Sequence, residues 1–321
     1  MRLAIGKASH GYNAARFRFV MEFSTRTKVV SAYLLCTLIW GTTWFSIRVT
    51  IAPGGFPTYE AAALRFSIAV VVIILLVPGA IFALRQRLGA QLGWLSVAGL
   101  VNALSYGLLY KGEESVTGSV AAVLYGSLPL VAAFGAAATR SEKISRGQVF
   151  GALVALAGIT MLFWDRLHVS RQQAAGMALV LAAVCANASY LVIFRRKVRG
   201  EHSMAATGVF LAATSAGLWC FSLVRGWQPL PWPLPTKPAL ALLYLGVAGT
   251  VVTFACYLYL LRHVSVVTAS TIIIAESVIA LAIDRAWERE FSLGALAYVG
   301  AAMTLAGFLV SILVKPEEWH T

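Results

Sequence analysis

Long apolar runs, each about as long as a membrane span, alternate with short polar or charged segments along the whole chain. A transmembrane helix needs roughly 20 predominantly apolar residues. The runs are rich in Leu, Ala, Val and Gly and show little alternation at period two, which favours helices over a barrel, since lipid-embedded backbone must satisfy its own polar groups. The pattern predicts ten spans near residues 30–51, 58–79, 91–110, 117–138, 147–164, 174–194, 204–224, 238–261, 265–285 and 292–314.

Composition agrees with this pattern. Of 321 residues, 59% are hydrophobic and only 12% are charged, and the mean hydropathy is +0.78. A soluble domain carries about 25% charged residues, which cover its surface. The shortage of polar material means that lipid must cover much of this protein, so we expect an all-α integral membrane protein.

The net charge of +13 comes from Lys and Arg in the segments between the apolar runs, which does not favour nucleic-acid binding. If the N-terminus is cytoplasmic, 17 of these residues lie on its side and 7 on the other, as the positive-inside rule requires. We therefore expect a multi-pass protein of a bacterial inner membrane with both termini cytoplasmic. Residues 1–28 form a basic segment without a secretory signal, in which Met21 is an alternative start to Met1, and residues 315–321 form a short tail.

The two halves of the chain, residues 29–165 and 173–314, repeat each other weakly. Paired glycines close a span in each half, and residues 115–129 resemble residues 263–277. Because five helices is an odd number, the second half enters the membrane from the opposite side, which makes an inverted repeat. The alternative is that Gly- and Ala-rich helices resemble one another by composition. The glycines are expected at close helix contacts: Gly151, Gly158, Gly300 and Gly307.

Five motifs in order resemble the EamA-type drug/metabolite transporters. They are the Trp-Gly-Thr-Thr-Trp segment 40–44 with Arg48, Pro57 with Arg65-Phe66, residues 124–130 with Pro129 and then Glu142, residues 243–270, and Ala275-Glu276. Ser277 departs from the Pro that the family usually has there. The resemblance implies ten helices around a central cavity and the export or exchange of small metabolites, from amino acids to drugs.

Charged residues inside spans are the sharpest functional clue, because each costs about 2.5–3.5 kcal/mol at a helix centre. Glu276 lies deep in the ninth predicted span and Arg65 about two turns inside the second. Glu276 is the candidate for binding a cationic group or taking up a proton; alternatively it is hydrogen-bonded between helices. Arg65 could attract a substrate carboxylate, or pair with Glu60 or Glu276.

Aromatic and polar residues at helical spacing form further candidates for the cavity wall. Their alternative role is to link helices, because polar side chains do this in membranes. With Arg65 and Glu276 they complete the predicted substrate-binding set: Trp40, Trp44, Asn102, Tyr106, Tyr125, Asn187, Tyr190 and Tyr257.

The function expected from these features is secondary transport of small metabolites by alternating access, with amino-acid-like solutes favoured and protons as a possible coupling ion. A multidrug or amphipathic-compound efflux carrier is the alternative. No P-loop occurs, so ATP is not the direct energy source. A membrane enzyme is remote because the sequence has no clustered nucleophile and base and no metal-ligand spacing of histidines, and a channel is remote because it has no filter-like loop. No cofactor or metal is expected, and the oligomeric state stays open.

Overall fold

A computed structural model describes residues 25–77, 89–128, 131, 146–164, 170–197, 204–263, 266–287 and 294–313. Every regular element in these ranges is helical. Several positions singled out in the sequence lie outside the described residues: Met1, Met21, Pro129, Glu142 and the tail 315–321.

The helices of the first half coincide closely with the predicted spans. The predicted fourth span, 117–138, is described as a helix only over its first two turns. The helices are α1 Thr25–Ile51, α2 Thr58–Leu76, α3 Gly89–Glu113, α4 Gly118–Tyr125 and α5 Arg146–Trp164.

The second half follows the predicted spans equally well, with one irregularity in the predicted span 238–261. There α8 and α9 are continuous through a π-helical turn, Val247–Val252. The helices are α6 Arg171–Lys197, α7 Met204–Arg225, α8 Thr236–Gly246, α9 Thr253–His263, α10 Val266–Trp287 and α11 Ala295–Leu313.

Six helical stretches in the described part of the chain are long and apolar enough to cross a membrane. Large apolar side chains such as Leu75 (74% exposed) and Leu153 (60% exposed) point away from the bundle, as expected for helices covered by lipid. The six stretches are Thr25–Ile51, Thr58–Leu76, Gln91–Glu113, Arg171–Tyr190, Ala206–Arg225 and Thr236–Tyr257. The chain is a multi-pass membrane protein.

Helix packing relates the two halves of the chain. Helix α5 packs on α11, α2 on α7, and α4 on α10. Helix α3 packs on α6 and α7, while α8 packs on α1 and α2. Helix α1 also packs on α10, and α4 on α6. Buried side chains of both halves therefore share one core.

Two of the predicted packing glycines allow α5 and α11 to approach closely. A Cβ atom at Gly158 would lie 2.4 Å from the backbone nitrogen of Thr304, and one at Gly307 would lie 2.4 Å from that of Ala155. The carbonyl oxygens of Gly300 and Gly151 would lie 2.7 and 2.6 Å from these two Cβ atoms. The glycines thus meet backbone of the facing helix, which cannot rotate away.

Candidate functional site

Arg65 is buried in α2, at 2% exposure, and reaches across to the second half of the chain. Its Nε donates a hydrogen bond to Thr250 Oγ1, and its Nη2 donates to the Gly249 carbonyl oxygen, both at 3.2 Å. Both acceptors lie in the π-helical turn, where the backbone departs from regular i to i+4 bonding. The wider turn therefore presents an oxygen pair to the guanidinium.

An aromatic ring covers the same guanidinium. The Arg65 Cζ atom lies 5.1 Å from the centroid of the Tyr106 ring, within the range of a cation–π contact. Tyr110 and Glu113 are also close enough to act on Arg65 electrostatically. Arg65 is thus held by a backbone carbonyl, a hydroxyl and a ring.

The structure does not give Arg65 the partner Glu60 that the sequence suggested. Glu60 Oε1 instead accepts hydrogen bonds from Ser222 Oγ at 2.6 Å and from the Gln228 backbone nitrogen at 3.0 Å. The expectation is wrong for a geometrical reason: five residues on one helix place two side chains on different faces, so Glu60 meets α7 while Arg65 meets the π-helical turn.

Four tyrosines, here called the tyrosine cluster, converge from α3, α4, α6 and α9: Tyr106, Tyr125, Tyr190 and Tyr257. Tyr190 is close enough to each of the other three to be influenced electrostatically by it. All four belong to the predicted substrate-binding set. Residues from four helices and both halves of the chain therefore contribute to one region, in which Tyr125 is buried and the other three tyrosines are partly buried.

The Tyr125 hydroxyl has hydrogen-bond partners on α3 and α6. Asn187 Nδ2 donates a hydrogen bond to its hydroxyl, and Ser105 Oγ lies 3.4 Å from the same oxygen. The Trp44 ring lies against the Tyr125 ring at 5.3 Å between centroids. Trp44 and Asn187, both predicted site residues, thus reach the cluster through Tyr125.

A chain of aromatic rings extends the cluster on the side of α9. Trp40 lies 5.3 Å from Tyr257 and 6.4 Å from Phe254, measured between ring centroids. Phe254 lies 6.4 Å from Phe210, which lies 5.4 Å from Tyr190. The sequence did not indicate Phe210 or Phe254, because a Phe in an apolar span carries no polar signal.

Glu276 brings a buried carboxylate to this region from α10. It is 5% exposed and acts electrostatically on Tyr125 and on Cys36. Within the described residues, no group donates a hydrogen bond to its carboxylate. Arg65 thus contacts Tyr106 of the cluster, and Glu276 lies within electrostatic reach of Tyr125, so one buried positive and one buried negative charge lie near the cluster.

Asn102 is not brought into this group. Its Nδ2 donates a hydrogen bond to Thr214 Oγ1 at 3.2 Å, which links α3 to α7. Sequence reasoning also missed Asp284, a buried residue of α10 whose carboxylate accepts a hydrogen bond from Ser119 of α4. Asp284 lies at the end of a predicted span, where a carboxylate is unremarkable, so only its burial in the fold reveals its role.

The sequence of the whole bundle decides the family. The model of the EamA-like transporter family matches the chain twice, over residues 27–164 and 174–313. The chain belongs to the EamA-like transporter family. In this EamA-like protein, the first match covers α1 to α5 and the second covers α6 to α11.

Relatives of this EamA-like protein carry transporter names. It is 24% identical to the "Uncharacterized inner membrane transporter YedA" of Escherichia coli K12, over 90% of this chain and 94% of that protein. It is 22% identical to the "Probable terminal-alkyne amino-acid exporter" of Streptantibioticus cattleyicolor, over 88% and 93%. Protein PagO of Salmonella typhimurium is 23% identical over 78% and 82%.

A solved crystal structure shares the fold. It superimposes with a TM-score of 0.62 and 20% identity, over 89% of this EamA-like chain and 96% of that chain. The chain is therefore a multi-pass inner-membrane protein of a transporter family. Such a protein handles small-molecule substrates within a lipid bilayer.

Proposed function

We propose that this protein is a secondary carrier that exports or exchanges small zwitterionic metabolites by alternating access. The observation that carries the proposal is a pair of buried opposite charges near the tyrosine cluster, Arg65 in contact with Tyr106 and Glu276 within electrostatic reach of Tyr125. Arg65 comes from the first half of the chain and Glu276 from the second. A solute held between them would contact both halves, so a movement of one half against the other changes which side of the membrane it meets.

The proposed architecture is ten transmembrane helices in two inverted five-helix repeats, residues 29–165 and 173–314. Helix packing supports it. The helices of the two halves pair as α1 with α6, α2 with α7, α3 with α8–α9, α4 with α10 and α5 with α11, and this pairing maps the most extensive helix contacts onto one another. The contact of α3 with α6 becomes that of α8–α9 with α1, and the contact of α1 with α10 becomes that of α6 with α4.

Amino-acid-like solutes are the favoured substrates. A carboxylate would meet Arg65 and an ammonium would meet Glu276, while the rings of Trp40, Tyr190 and Tyr257 would cover an apolar side chain. The name of the relative from Streptantibioticus cattleyicolor is in line with this class. The aromatic lining favours a second candidate, efflux of amphipathic or cationic compounds, in which Arg65 would be a helix clamp.

Glu276 is the proposed coupling residue. A buried carboxylate without a hydrogen-bond donor among the described residues is costly to keep charged. A proton or a substrate ammonium neutralises it, and the two would then compete for one carboxylate. Binding of substrate would release the proton, which is the elementary step of an exchanger.

The proposed orientation places both termini in the cytoplasm, as the distribution of Lys and Arg favours. The loops after α1 and α3 and the connector after α7 would then face the periplasm. Labelling of single cysteines introduced at the exposed positions Ala52 and Trp227, in a variant without the four native cysteines, with a membrane-impermeant thiol reagent in intact cells tests this orientation. Labelling only after the cells are permeabilised would contradict it.

The direct test is counterflow in proteoliposomes. Vesicles are preloaded with unlabelled amino acids or with amphipathic amines, and uptake of labelled solute is followed. We expect saturable exchange with zwitterions that is lost in Glu276→Gln. The matched control is Asp284→Asn, a second buried carboxylate of α10, since an amide oxygen can still accept from Ser119.

Two results would contradict the proposal. Exchange that persists unchanged in Glu276→Gln would remove this residue from the cycle. Absence of protein-dependent flux for every solute, amphipathic amines included, with protein that elutes as a folded species, would refute the carrier function itself.

A further inference from the structure

A cleft of about 490 Å³ opens at the end of the bundle where α1, α3 and α7 end and α2 begins. It lies outside the tyrosine cluster. Four charged residues line it, Glu60, Lys111, Glu114 and Arg225. A volume of this size holds an amino-acid-sized or somewhat larger solute.

Glu60 is a fixed carboxylate in the wall of this cleft. The residue is only 3% exposed, and its Oε1 is held by Ser222 and by the Gln228 backbone nitrogen. Its Oε2 accepts no hydrogen bond from any described residue. One oxygen thus orients the group while the other stays available, which is the arrangement of a prepared cation site.

The other three charged residues of the cleft differ from Glu60 in their hydrogen-bond and ion-pair partners. Glu114 accepts hydrogen bonds from Thr58 and from Lys111, so its carboxylate and the Lys111 ammonium neutralise each other. Arg225 is exposed at the end of α7. Its guanidinium bonds no acceptor within the described part of the chain. Glu60 and Arg225 are therefore the two charges that a solute can engage.

We propose that this cleft is a second binding site, in which Glu60 takes the ammonium group of a zwitterionic solute and Arg225 takes its carboxylate. The inference rests on the proposed carrier function and adds to it a binding site outside the tyrosine cluster. Glu60 and Arg65 are five residues apart on α2, about 7.5 Å along the helix axis. Because the two side chains leave α2 on different faces, the cleft and the region around Arg65 are separate sites.

The test is direct binding to the purified protein in lipid nanodiscs, measured by titration calorimetry in a Glu276→Gln background. The probes are phenylalanine, N-acetylphenylalanine without an ammonium, and phenethylamine without a carboxylate. We expect blocking the amine to weaken binding about tenfold or more, because a hydrogen bond to a charged group is lost. Glu60→Gln is expected to remove this difference between the first two probes.

Arg225→Gln is expected to make phenylalanine and phenethylamine bind alike. Glu114→Gln is the matched control, since its carboxylate is already engaged, and it should leave phenylalanine binding within about threefold. In Glu60→Gln the amide oxygen still accepts from Ser222 and Gln228, so the fold is kept; elution as a single species checks this.

Phenylalanine binding that is unchanged in Glu60→Gln, or no binding of any probe, overturns the second site. The two proposals fail separately. If phenylalanine binding depends on Glu60 but no solute shows counterflow, the second site is retained and the carrier function is rejected. Counterflow that depends on Glu276, together with phenylalanine binding that is unchanged in Glu60→Gln, would keep the carrier function and reject the second site.

Discussion

The close approach of α5 and α11 can be tested by adding one methyl group. In Gly158→Ala the new Cβ atom would lie 2.4 Å from Thr304 N and 2.7 Å from Gly300 O. Ordinary contacts of a Cβ atom begin near 3.4 Å, so the helices must separate by about 1 Å. Overpacking of this kind costs about 1–3 kcal/mol.

The helix propensity of alanine offsets part of this cost. Alanine favours a helix over glycine by about 1 kcal/mol, so Gly158→Ala should destabilise the protein by about 2 kcal/mol if the upper overpacking value applies. The matched control is Gly93→Ala in α3, where nothing lies within 4 Å of the added Cβ atom. There only the propensity acts, and the variant should be as stable as the wild type or slightly more stable.

The assay is equilibrium unfolding in mixed micelles, by titration with SDS and detection by circular dichroism. Gly307 lies on α11 and faces Ala155 of α5. Gly307→Ala should therefore destabilise the protein as Gly158→Ala does. The double variant should lose less unfolding free energy than the two single variants together, because the first methyl group already separates the helices. A Gly158→Ala protein as stable as Gly93→Ala would refute the assigned contact.

Two further variants test the site and a helix end. Arg65→Lys keeps the charge but lacks the planar guanidinium that can bind a carboxylate through two parallel hydrogen bonds, so the KM for the exchanged solute should rise about tenfold or more; an unchanged KM in counterflow would limit Arg65 to a helix clamp. Thr117→Ala removes the side-chain oxygen that accepts from Val120 N at 3.3 Å, which should cost about 1 kcal/mol of unfolding free energy in the SDS titration, while Thr117→Ser should keep most of it.

Much of the membrane topology follows from the chain itself. An apolar run of sufficient length can only satisfy its backbone in lipid as a helix, so the predicted span 58–79 and the observed α2, Thr58–Leu76, agree at their first residue. Charges in mid-span are equally visible in the sequence. Arg65 and Glu276 stand out because lipid makes them costly, whatever they contact.

The sequence by itself thus determined the helices, the class of protein and the two buried charges that attract attention. The tertiary structure alone decided what those charges meet. Arg65 bonds Thr250 and Gly249, 185 and 184 residues away, and Glu60 turns to Ser222 instead. Such partners depend on helix rotation, on the π-helical turn and on packing between the halves. None of these leaves a periodic trace in the sequence, because each arises from contacts between distant segments.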